Sequence, residues 1–423
     1  MNAQQWDWRP IGELFDIGAG KTMSAAARAG AGKVPFLRTS NVLWDEIDLT
    51  TLDEMSIPTH ELAEKRLLPG DLLVCEGGEI GRAAIWSGEI DTVSFQNHLH
   101  RLRPTSTDVH PHFYVYFLQC AFTQLGIFEG AGNKTTIPNL SRNRLAALDV
   151  PKPPFDAQRA IAGTLAKVRK SIAIQDKTTA TAIELKNAAM RELFTRGLRG
   201  EAQKDSEIGP IPESWRLPTL GTLGKIGNGT TPNRKNIAYW QGGTLPWITS
   251  GRMYERNISG SDIHVTPAAL KDHSLPLLKP GAVLIAIVGQ GKTLGHCALL
   301  EVDATVSRHV GFIQPNEKSI LPRYLISFLE SQYTYLRQLA SGNGSTRGAL
   351  TCSILRSLQV PLPTLDEQAE IAEILDAIDR KIDLHKRKRA VLEELFRTLL
   401  HKLMTGEIDV NDLDLSALPA ANA

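Results

Sequence analysis

Apolar residues recur about every 3.5 positions along two long stretches of the chain. The first stretch runs from Gln158 to about Arg196, and the second runs from Gln368 to about Thr405. A long and narrow apolar seam is typical of a coiled coil rather than of a helix lying on a globular core. The sequence therefore predicts two long helices, whose seam residues are Ile161, Leu165, Val168 and Ile172 in the first, and Ile371, Leu375, Ile378, Ile382, Leu392, Phe396 and Leu399 in the second.

The two stretches carry corresponding residues at nearly constant offsets. Gln368 follows Gln158 by 210 positions, whereas Gly406 follows Gly200 by 206 positions. The first helix therefore has four extra residues, close to one helical turn, which keeps its seam roughly on one side. At about 1.5 Å per residue, each helix of roughly 40 residues is about 60 Å long.

The segments before the two helices repeat as well. Trp8-Arg9 returns as Trp215-Arg216, Pro69-Gly70 as Pro280-Gly281, and Val150-Pro151 as Val360-Pro361. Ordered matches with slowly drifting offsets indicate a tandem repeat of one domain plus one helix. We predict an α+β fold with two mixed α/β domains, separated by two long antiparallel coiled-coil helices and related by a pseudo-twofold. The predicted bounds are 1–155 for the first domain, 156–206 for the first helix, 207–363 for the second domain, 364–408 for the second helix and 409–423 for a flexible tail.

Within each domain, short apolar runs broken by Gly and Pro predict mainly strands and turns. A short helix is predicted at His112–Phe122 in the first domain and at Leu321–Leu339 in the second. Asp156 and Asp366 follow proline-containing segments and are predicted to cap the two long helices. Glycines close both helices.

Composition indicates an ordinary globular protein of two to three domains, with 42% hydrophobic and 22% charged residues. No apolar run is long enough to cross a membrane and the N-terminus has no signal pattern, so we expect a cytoplasmic protein. The four cysteines have no close spacing, which argues against a zinc site or disulfides. The net charge of +1 is low for a protein that binds nucleic acid by charge alone, so basic groups must be clustered or a partner must contribute.

No segment carries a catalytic or metal-binding motif. Gly289–Thr293 ends like a phosphate loop, but the first glycine of that motif would fall at Ala286 and no helix pattern follows. A hairpin turn is the better interpretation, and Gly20–Thr22 fails as a phosphate loop in the same way. The histidines have no partners at metal-ligand spacing. We therefore expect no catalytic residue, no metal and no cofactor in this chain.

Polar segments recur at matching places in the two domains and are the candidate DNA contacts. Their side chains suit phosphate contacts and readout of base edges, although solvated loops have a similar composition. The candidates are Arg38, Thr39, Asn41, Gln96, Asn97, Asn133, Lys134, Thr135 and Arg142 in the first domain, and Thr249, Ser250, Arg252, Arg308, His309, Asn343, Ser345, Thr346 and Arg347 in the second.

Several segments, taken in order, resemble the specificity subunit of type I restriction-modification systems. The resemblance covers nearly the whole chain and rests on Ile208–Trp215, Leu67–Leu73, Leu277–Gly281, Val360–Pro363, Glu367–Ala372 and Leu403–Ile408. The first copy departs from the pattern at Asp156-Ala157-Gln158, where Glu-Gln is expected.

The resemblance implies that the two domains are target-recognition domains and that the helices are spacers. Such a subunit is non-catalytic and reads a bipartite, asymmetric sequence in double-stranded DNA. It assembles with two adenine-methylating modification subunits, which carry S-adenosylmethionine. It also assembles with restriction subunits, which use ATP and Mg for cleavage.

Two other classes of function remain open from the residues alone. A protein–protein adaptor with two similar domains on a coiled coil would show the same repeat without any nucleic acid. A self-contained enzyme would turn over S-adenosylmethionine or ATP by itself. The sequence also leaves self-association of the isolated chain through its seams open.

Overall fold

The chain forms two compact units in a computed structural model, which describes residues 6–126, 139–289, 291–341, 348–414, 416 and 418. Unit 1 comprises Met1–Lys177 and Lys386–Ala423, and unit 2 comprises Thr178–His385. Each unit combines one globular domain with one part of each long helix, because both unit boundaries fall within those helices.

The globular domain of unit 1 contains short strands and short helices. The strands are β1 (Asp7–Pro10), β2 (Phe15–Ala19), β3 (Lys33–Leu37), β4 (Val42–Leu43), β5 (Glu46–Ile47), β6 (Asp53–Ser56), β7 (Leu72–Cys75), β8 (Ala83–Ile85), β9 (Ser94–Phe95), β10 (Leu99–Pro104) and β11 (Asp149–Lys152). The helices are α1 (Ile11–Leu14), α2 (Ala25–Ala29), α3 (Thr59–Lys65), α4 (Pro111–Thr123) and α5 (Arg142–Ala146), followed by the long helix α6 (Phe155–Arg196).

A four-stranded antiparallel sheet in the order β2-β10-β7-β8 forms the centre of unit 1. Alternate residues of a strand point to opposite faces, so the all-apolar β7 serves two cores. Leu72 and Val74 pack in one core with α4 and α6, while Leu73 and Cys75 pack in the other. A smaller sheet, β6-β3-β9, lies beside it, and β1 pairs with β11.

Unit 2 repeats this arrangement with its own elements. The strands are β12 (Gln203–Lys204), β13 (Ile211–Pro212), β14 (Gly224–Asn228), β15 (Leu245–Ile248), β16 (Asn257–Ile258), β17 (His264–Val265), β18 (Val283–Ala286), β19 (Cys297–Leu300), β20 (Thr305–Val306) and β21 (Val310–Pro315). The helices are α7 (Leu220–Leu223), α8 (Pro267–His273), α9 (Pro322–Ser331), α10 (Tyr333–Ser341), α11 (Cys352–Ser357) and the long α12 (Leu365–Met404).

The main sheet of unit 2 has five strands in the order β14-β21-β18-β19-β16. Its fifth strand, β16, adds in parallel to β19. The smaller sheet has the order β17-β15-β20 and corresponds to β6-β3-β9 of unit 1. As in unit 1, alternate residues of the central strand enter two different cores, with Val283 and Ile285 in one and Leu284 and Ala286 in the other.

The two long helices are present as predicted, but their caps differ from the prediction. Asp156 and Asp366 lie inside the first turns rather than at the N-caps. Thr364 caps α12 instead, since its hydroxyl accepts from the backbone N–H of Glu367 at 3.4 Å. Asp156 in the first turn of α6, and Asp366 and Glu367 in the first turn of α12, still complement the helix dipoles. Gly197 follows the end of α6 with a left-handed φ of 62°, as glycine C-caps do.

In each unit, the local parts of α6 and α12 run antiparallel. In unit 1, Arg169 lies over the Phe396 ring, 5.4 Å from its centre, and Asp176 pairs with Arg389 at 2.5 Å. As the residue number increases along α6, the number of its partner along α12 therefore decreases. In unit 2, Lys186 of α6 pairs with Asp379 at 2.8 Å, and Arg199, just after the end of α6, pairs with Glu370 at 2.7 Å, which is again the antiparallel sense.

Toward the ends of the two long helices, the buried apolar stripe is wider than the seam of a coiled coil. Ile161 and Leu165 share a core with α4, and the adjoining Ala162 is buried with them. Ile371 and Leu375 likewise share a core with α9. These predicted seam residues therefore also contribute to the globular cores, because neighbouring positions are buried with them.

The short helices follow the prediction only in part. The helix predicted at His112–Phe122 is α4, with one more residue at each end. The single helix predicted over Leu321–Leu339 is two helices, α9 and α10, divided at Gln332. The backbone N–H of Gln332 is shared between the carbonyls of Phe328 and Leu329, which tightens the last turn of α9.

Candidate nucleic-acid interface

Each unit brings two predicted polar segments together at the end of a parallel strand pair. In unit 1, Leu37 of β3 lies opposite Phe95 of β9. In unit 2, Ile248 of β15 lies opposite Val306 of β20, and both residues stand 211 positions after their counterparts. Parallel strands end at the same edge, so the segments that follow them are neighbours. We call these segments the polar edge, which comprises 38–41 and 96–98 in unit 1, and 249–252 and 307–309 in unit 2.

A glycine-containing loop completes each polar edge. In unit 1 the backbone of Lys21 donates to the Phe95 carbonyl at 2.8 Å. A Cβ placed on Gly20 would lie 2.2 Å from that carbonyl oxygen, and a Cβ on Gly229 would lie 1.8 Å from the oxygen of Val306. Only glycine permits so close an approach of two backbones. The sequence contains both glycines, but only the strand pairing reveals what they approach.

A further backbone ladder ties another segment to the polar edge in each unit. In unit 1, Glu76 donates to the His98 carbonyl and its own carbonyl accepts from Leu140, both at 2.9 Å. In unit 2, Ile287 makes the same two hydrogen bonds, with the His309 carbonyl at 3.0 Å and with Leu350 at 2.8 Å. The first ladder places the exposed Arg142, which begins α5, close to the unit 1 polar edge.

Two of the edge arginines, Arg38 and Arg252, form ion pairs with exposed acidic side chains. Arg38 pairs with Asp53 at 3.1 Å. Arg252 binds both oxygens of Glu255, at 2.7 and 2.5 Å, and these hydrogen bonds raise the pKa of Arg252. Exposed ion pairs contribute only about 0–1 kcal/mol, so a phosphate can replace the carboxylate at little cost.

In unit 2, Arg308 is exposed, and its Nε donates to His309 Nε2 at 3.2 Å. Its backbone N–H lies 3.5 Å from the Thr231 hydroxyl, in the glycine loop. Thr249 and Ser250 are half-buried on the adjoining segment. The unit 2 edge therefore presents a guanidinium, an imidazole and hydroxyl groups side by side, which are donors and acceptors suited to base edges or phosphates.

Lys21 lies in the glycine loop beside the unit 1 edge, next to Gln96, and the sequence did not predict it as a DNA contact. Its Nζ lies 2.7 and 2.8 Å from the two oxygens of Glu61, which Lys65 also contacts at 3.1 Å. Hydrogen bonds from Lys21 and then Lys65 lower the pKa of Glu61. Acidic side chains thus accompany the basic ones, and the edge is polar rather than strongly cationic.

Asn41 has a structural role that its polar context did not reveal. The residue is only 4% exposed. Its side-chain oxygen accepts from the Arg38 backbone at 2.9 Å, and its amide donates to the carbonyls of Asp48 and Thr51, both at 2.9 Å. These bonds fix the loop after β3, so the amide has no free donor for DNA. As a candidate DNA contact, Asn41 is corrected to a residue that shapes the edge.

The other predicted DNA contacts lie at the polar edge or among residues that the structure does not describe. Thr39 accepts from the Arg82 guanidinium through its carbonyl at 2.8 Å, while Gln96 and Asn97 are half-buried at the end of β9. The remaining candidates fall outside the described residues, and they are Asn133, Lys134, Thr135, Asn343, Ser345, Thr346 and Arg347.

The residues that the structure describes contain neither a candidate metal-binding cluster nor a helix suited to span a membrane. Among them, no group of three or more His, Cys, Asp or Glu side chains could hold a metal ion. Within the same residues, none of the helices combines the length and apolar character needed to cross a bilayer.

Comparison with known proteins agrees with the repeat. The family model described as "Type I restriction modification DNA specificity domain" matches residues 3–185 and again 212–394. A putative type I restriction enzyme MjaX specificity subunit from Methanocaldococcus jannaschii is 26% identical over 417 residues, which cover 96% of this chain and 94% of that protein. The EcoR124I/EcoR124II specificity subunit of Escherichia coli is 30% identical over 220 residues, covering 50% and 53%.

Solved structures share the fold at low sequence identity. The S subunit of a type I restriction-modification system from M. genitalium aligns with a TM-score of 0.59 at 17% identity, covering 95% of this chain and 97% of that one. A chain from a study of complex assembly and conformational transition in the type I R-M system gives 0.60 at 18% identity, covering 96% and 99%. With the specificity-domain match present twice along most of its length, the chain belongs to the family of type I restriction-modification DNA specificity subunits.

Proposed function

We propose that this chain reads a split, asymmetric sequence in double-stranded DNA, with one polar edge contacting each half-site, mostly through the major groove. The observation that carries the proposal is that the same edge is built twice on the same strand pairing. Loops at the ends of strands can present donors and acceptors to base edges while the sheet holds them in place.

The two edges carry different side chains at equivalent positions, and this supports an asymmetric target. Arg38 of unit 1 corresponds to Thr249 of unit 2, and Asn97 corresponds to Arg308. Arginine prefers guanine, whereas asparagine prefers adenine. Two edges of unlike chemistry favour two unlike half-sites.

The long helices are proposed to set the gap between the half-sites. Helix α6 has 42 residues and α12 has 40. At about 1.5 Å per residue, each is about 60 Å long. That length equals roughly 18 base-pair steps of about 3.4 Å. Continuous helices resist bending, so a change in their length is expected to change the gap and not the bases read.

The partners are proposed from the family. We expect two adenine-methylating modification subunits that bind S-adenosylmethionine, and restriction subunits that use ATP and Mg, while this chain is itself non-catalytic. The chain has 47 basic and 46 acidic residues. Since phosphate contacts supply much of the affinity for DNA, the isolated chain is expected to bind DNA poorly. Tight, sequence-specific binding by the isolated chain in a mobility-shift assay would contradict this expectation.

The test of the reading function uses one arginine of each edge. Arg38→Ala and Arg308→Ala are each expressed with the cognate modification subunit, and methylated adenines are mapped across the host genome. A lost base contact costs about 1–3 kcal/mol and relaxes one position of one half-site. The two variants are expected to relax different half-sites.

Matched controls remove an exposed basic residue away from each edge. Arg9 lies on β1, and Lys318 lies between β21 and α9. Arg9→Ala and Lys318→Ala are expected to leave the methylated sequence unchanged. A uniform loss across all sites, with a weaker salt dependence, would assign the arginine to phosphate instead. Unchanged methylation in both edge variants would overturn the proposal.

A further inference from the structure

In unit 1, the loop between β4 and β5 contacts α4 and α6 through one buried carboxylate. Asp45 is held at a left-handed φ of 56°, and its side chain is only 11% exposed. Tyr116 donates to one oxygen at 2.5 Å, His112 lies 3.3 Å from the other, and Arg169 of α6 approaches to 3.8 Å. An acidic residue of the domain therefore faces a basic residue of the long helix.

In unit 2, the equivalent loop contacts α9 and α12 through a guanidinium. Arg256 lies 2.7 Å from Asp376 and 3.0 Å from Asp379, both on α12, and 3.2 Å from Glu330 of α9. Lys186 of α6 joins the cluster, at 2.8 Å from both Glu330 and Asp379. Here a basic residue of the domain faces acidic residues of the long helix.

The two contacts occupy the same place in the repeat. Arg256 follows Asp45 by 211 positions, which is the offset that relates the parallel strand pairs of the two polar edges. Asp379 follows Arg169 by 210 positions, which is the offset between Gln158 and Gln368 near the helix starts. The domain position and the helix position therefore match, but the charges at both are reversed.

A neighbouring contact keeps the same chemistry in both units. Gln158 accepts from the His110 backbone at 2.8 Å and donates to the carbonyls of Asp108 and Pro153. Gln368 makes the same three bonds, with Leu321, Ser319 and Pro363. By itself this shared contact would let either domain dock on either helix start. The reversed charges are what distinguish the two positions.

Burial strengthens the electrostatic difference between the two domain–helix contacts. The side chains of Arg169 and Arg256 are 28% and 23% exposed, and those of their acidic partners are less exposed. Charges that are largely out of water are poorly screened. Exchanging the domains would set Asp45 against Asp379, and Arg256 against Arg169. Both mixed pairings place like charges together, while both native pairings place opposite charges together.

We propose that these two oppositely charged contacts assign each domain to its own helix segment and fix its orientation there. The residues act by positioning and need not touch DNA. The assignment itself concerns folding of the chain, and its consequence for the gap between half-sites rests on the proposed function.

The first test uses unit 1 and needs no DNA. Arg169→Asp introduces the charge found at the unit 2 position, and Arg169→Asn is the neutral control of similar size and helix propensity. Both are made with Asp45 and with Asp45→Asn, since Asn tolerates the left-handed backbone. Thermal unfolding of the full chain is measured. Arg169→Asp is expected to lower the Tm more than Arg169→Asn with Asp45 present, and this difference is expected to vanish in the Asp45→Asn background.

The second test reverses the charges in unit 2. Asp379→Arg is compared with Asp379→Asn, in the presence of Arg256 and of Arg256→Gln. The penalty of arginine relative to asparagine at position 379 is expected to be largest while Arg256 is present. In the Arg256→Gln background this penalty is expected to shrink, because only Lys186 then repels the new arginine and Glu330 remains nearby. If the penalty of either reversed charge is independent of its partner, the charges do not assign the domains and the proposal is overturned.

A third measurement separates this inference from the proposed function. Arg169→Asp and Asp379→Arg are co-expressed with the modification subunit, and methylated sites are mapped. A loosened domain is expected to methylate sites with several gap lengths while both half-sites keep their bases. Changed bases at an unchanged gap would overturn the orienting role. The Tm losses of the reversed-charge variants could depend on their partner residues while the unsubstituted chain supports no methylation. That result would count against the proposed function alone.

Discussion

The close approach of Gly229 to Val306 offers a test confined to one polar edge. A Cβ at position 229 would lie 1.8 Å from the Val306 carbonyl oxygen, whereas real contacts of this kind start near 3.0 Å. Gly229→Ala must therefore push the glycine loop away from β20 by roughly 1 Å. The glycine loop packs on the end of β20, which leads into the segment 307–309, so displacing the loop changes the geometry of the unit 2 edge directly.

The cost follows from the bonds at this contact. Ser307 donates to Ile248 at 2.9 Å and Gly229 donates to Val310 at 3.2 Å. Weakening them costs about 1 kcal/mol each, and overpacking costs about 1–3 kcal/mol. A total of about 3–5 kcal/mol in a unit of this size lowers its Tm by about 6–20 °C. The fold of unit 2 is expected to survive at growth temperature with a distorted edge.

The assay is adenine methylation mapped in cells that express each variant with the modification subunit. Gly229→Ala is expected to blur the base preference of one half-site, and Gly20→Ala that of the other. Gly260→Ala is the control, since an added Cβ there meets no atom within 4 Å. The reasoning would be refuted if either variant relaxed the base preference of both half-sites equally. It would also be refuted if Gly260→Ala relaxed base preference as much as Gly229→Ala.

Three further outcomes are expected. Deleting Thr178–Thr181 shortens α6 by about 6 Å, and methylation mapping should show a changed gap with both half-sites intact; an altered half-site would contradict the spacer role. Gln368→Ala removes three hydrogen bonds of a fully buried side chain, one of them from Leu321, and should cost about 2–4 kcal/mol in chemical denaturation; a loss below about 1 kcal/mol would show that the contact is dispensable. His100 is buried against the Leu140 carbonyl, and burial lowers its pKa. The unfolded chain therefore binds the proton more readily, and stability falls as the pH drops through about 6.5. His100→Gln keeps a donor and should flatten this dependence in thermal melts, whereas an unchanged slope would assign the dependence to other groups.

The repeat and the long helices could be predicted because their signals are local or periodic. The apolar period and the offset between Gln158 and Gln368 are visible in the sequence, and the twofold family match confirms the tandem architecture. The division of Leu321–Leu339 at Gln332 could not be predicted, since the interior of that segment contains no glycine and its one proline lies at the start. At the division, the backbone N–H of Gln332 is shared between two carbonyls, a feature that the sequence does not signal.

The sequence indicated which polar segments recur in both units, but it did not indicate the contacts that each residue makes. Polar segments at matching offsets did indicate two equivalent edges. The burial of Asn41 was not visible, because a loop-closing asparagine and an exposed one have the same sequence context. Lys21 was not predicted because only a parallel bridge between Lys21 and Gln96, 75 positions apart, brings its loop to the edge. Such long-range pairing has no signature within a short window of sequence.

The central claim is that two unlike edges, carried by one chain with two long helices, read one split target. The most direct measurement is the adenine methylome of a host that expresses this chain with its modification subunit. We predict a single motif of two different half-sites separated by a gap of constant length and free composition. A continuous motif, or two identical half-sites, would contradict the account.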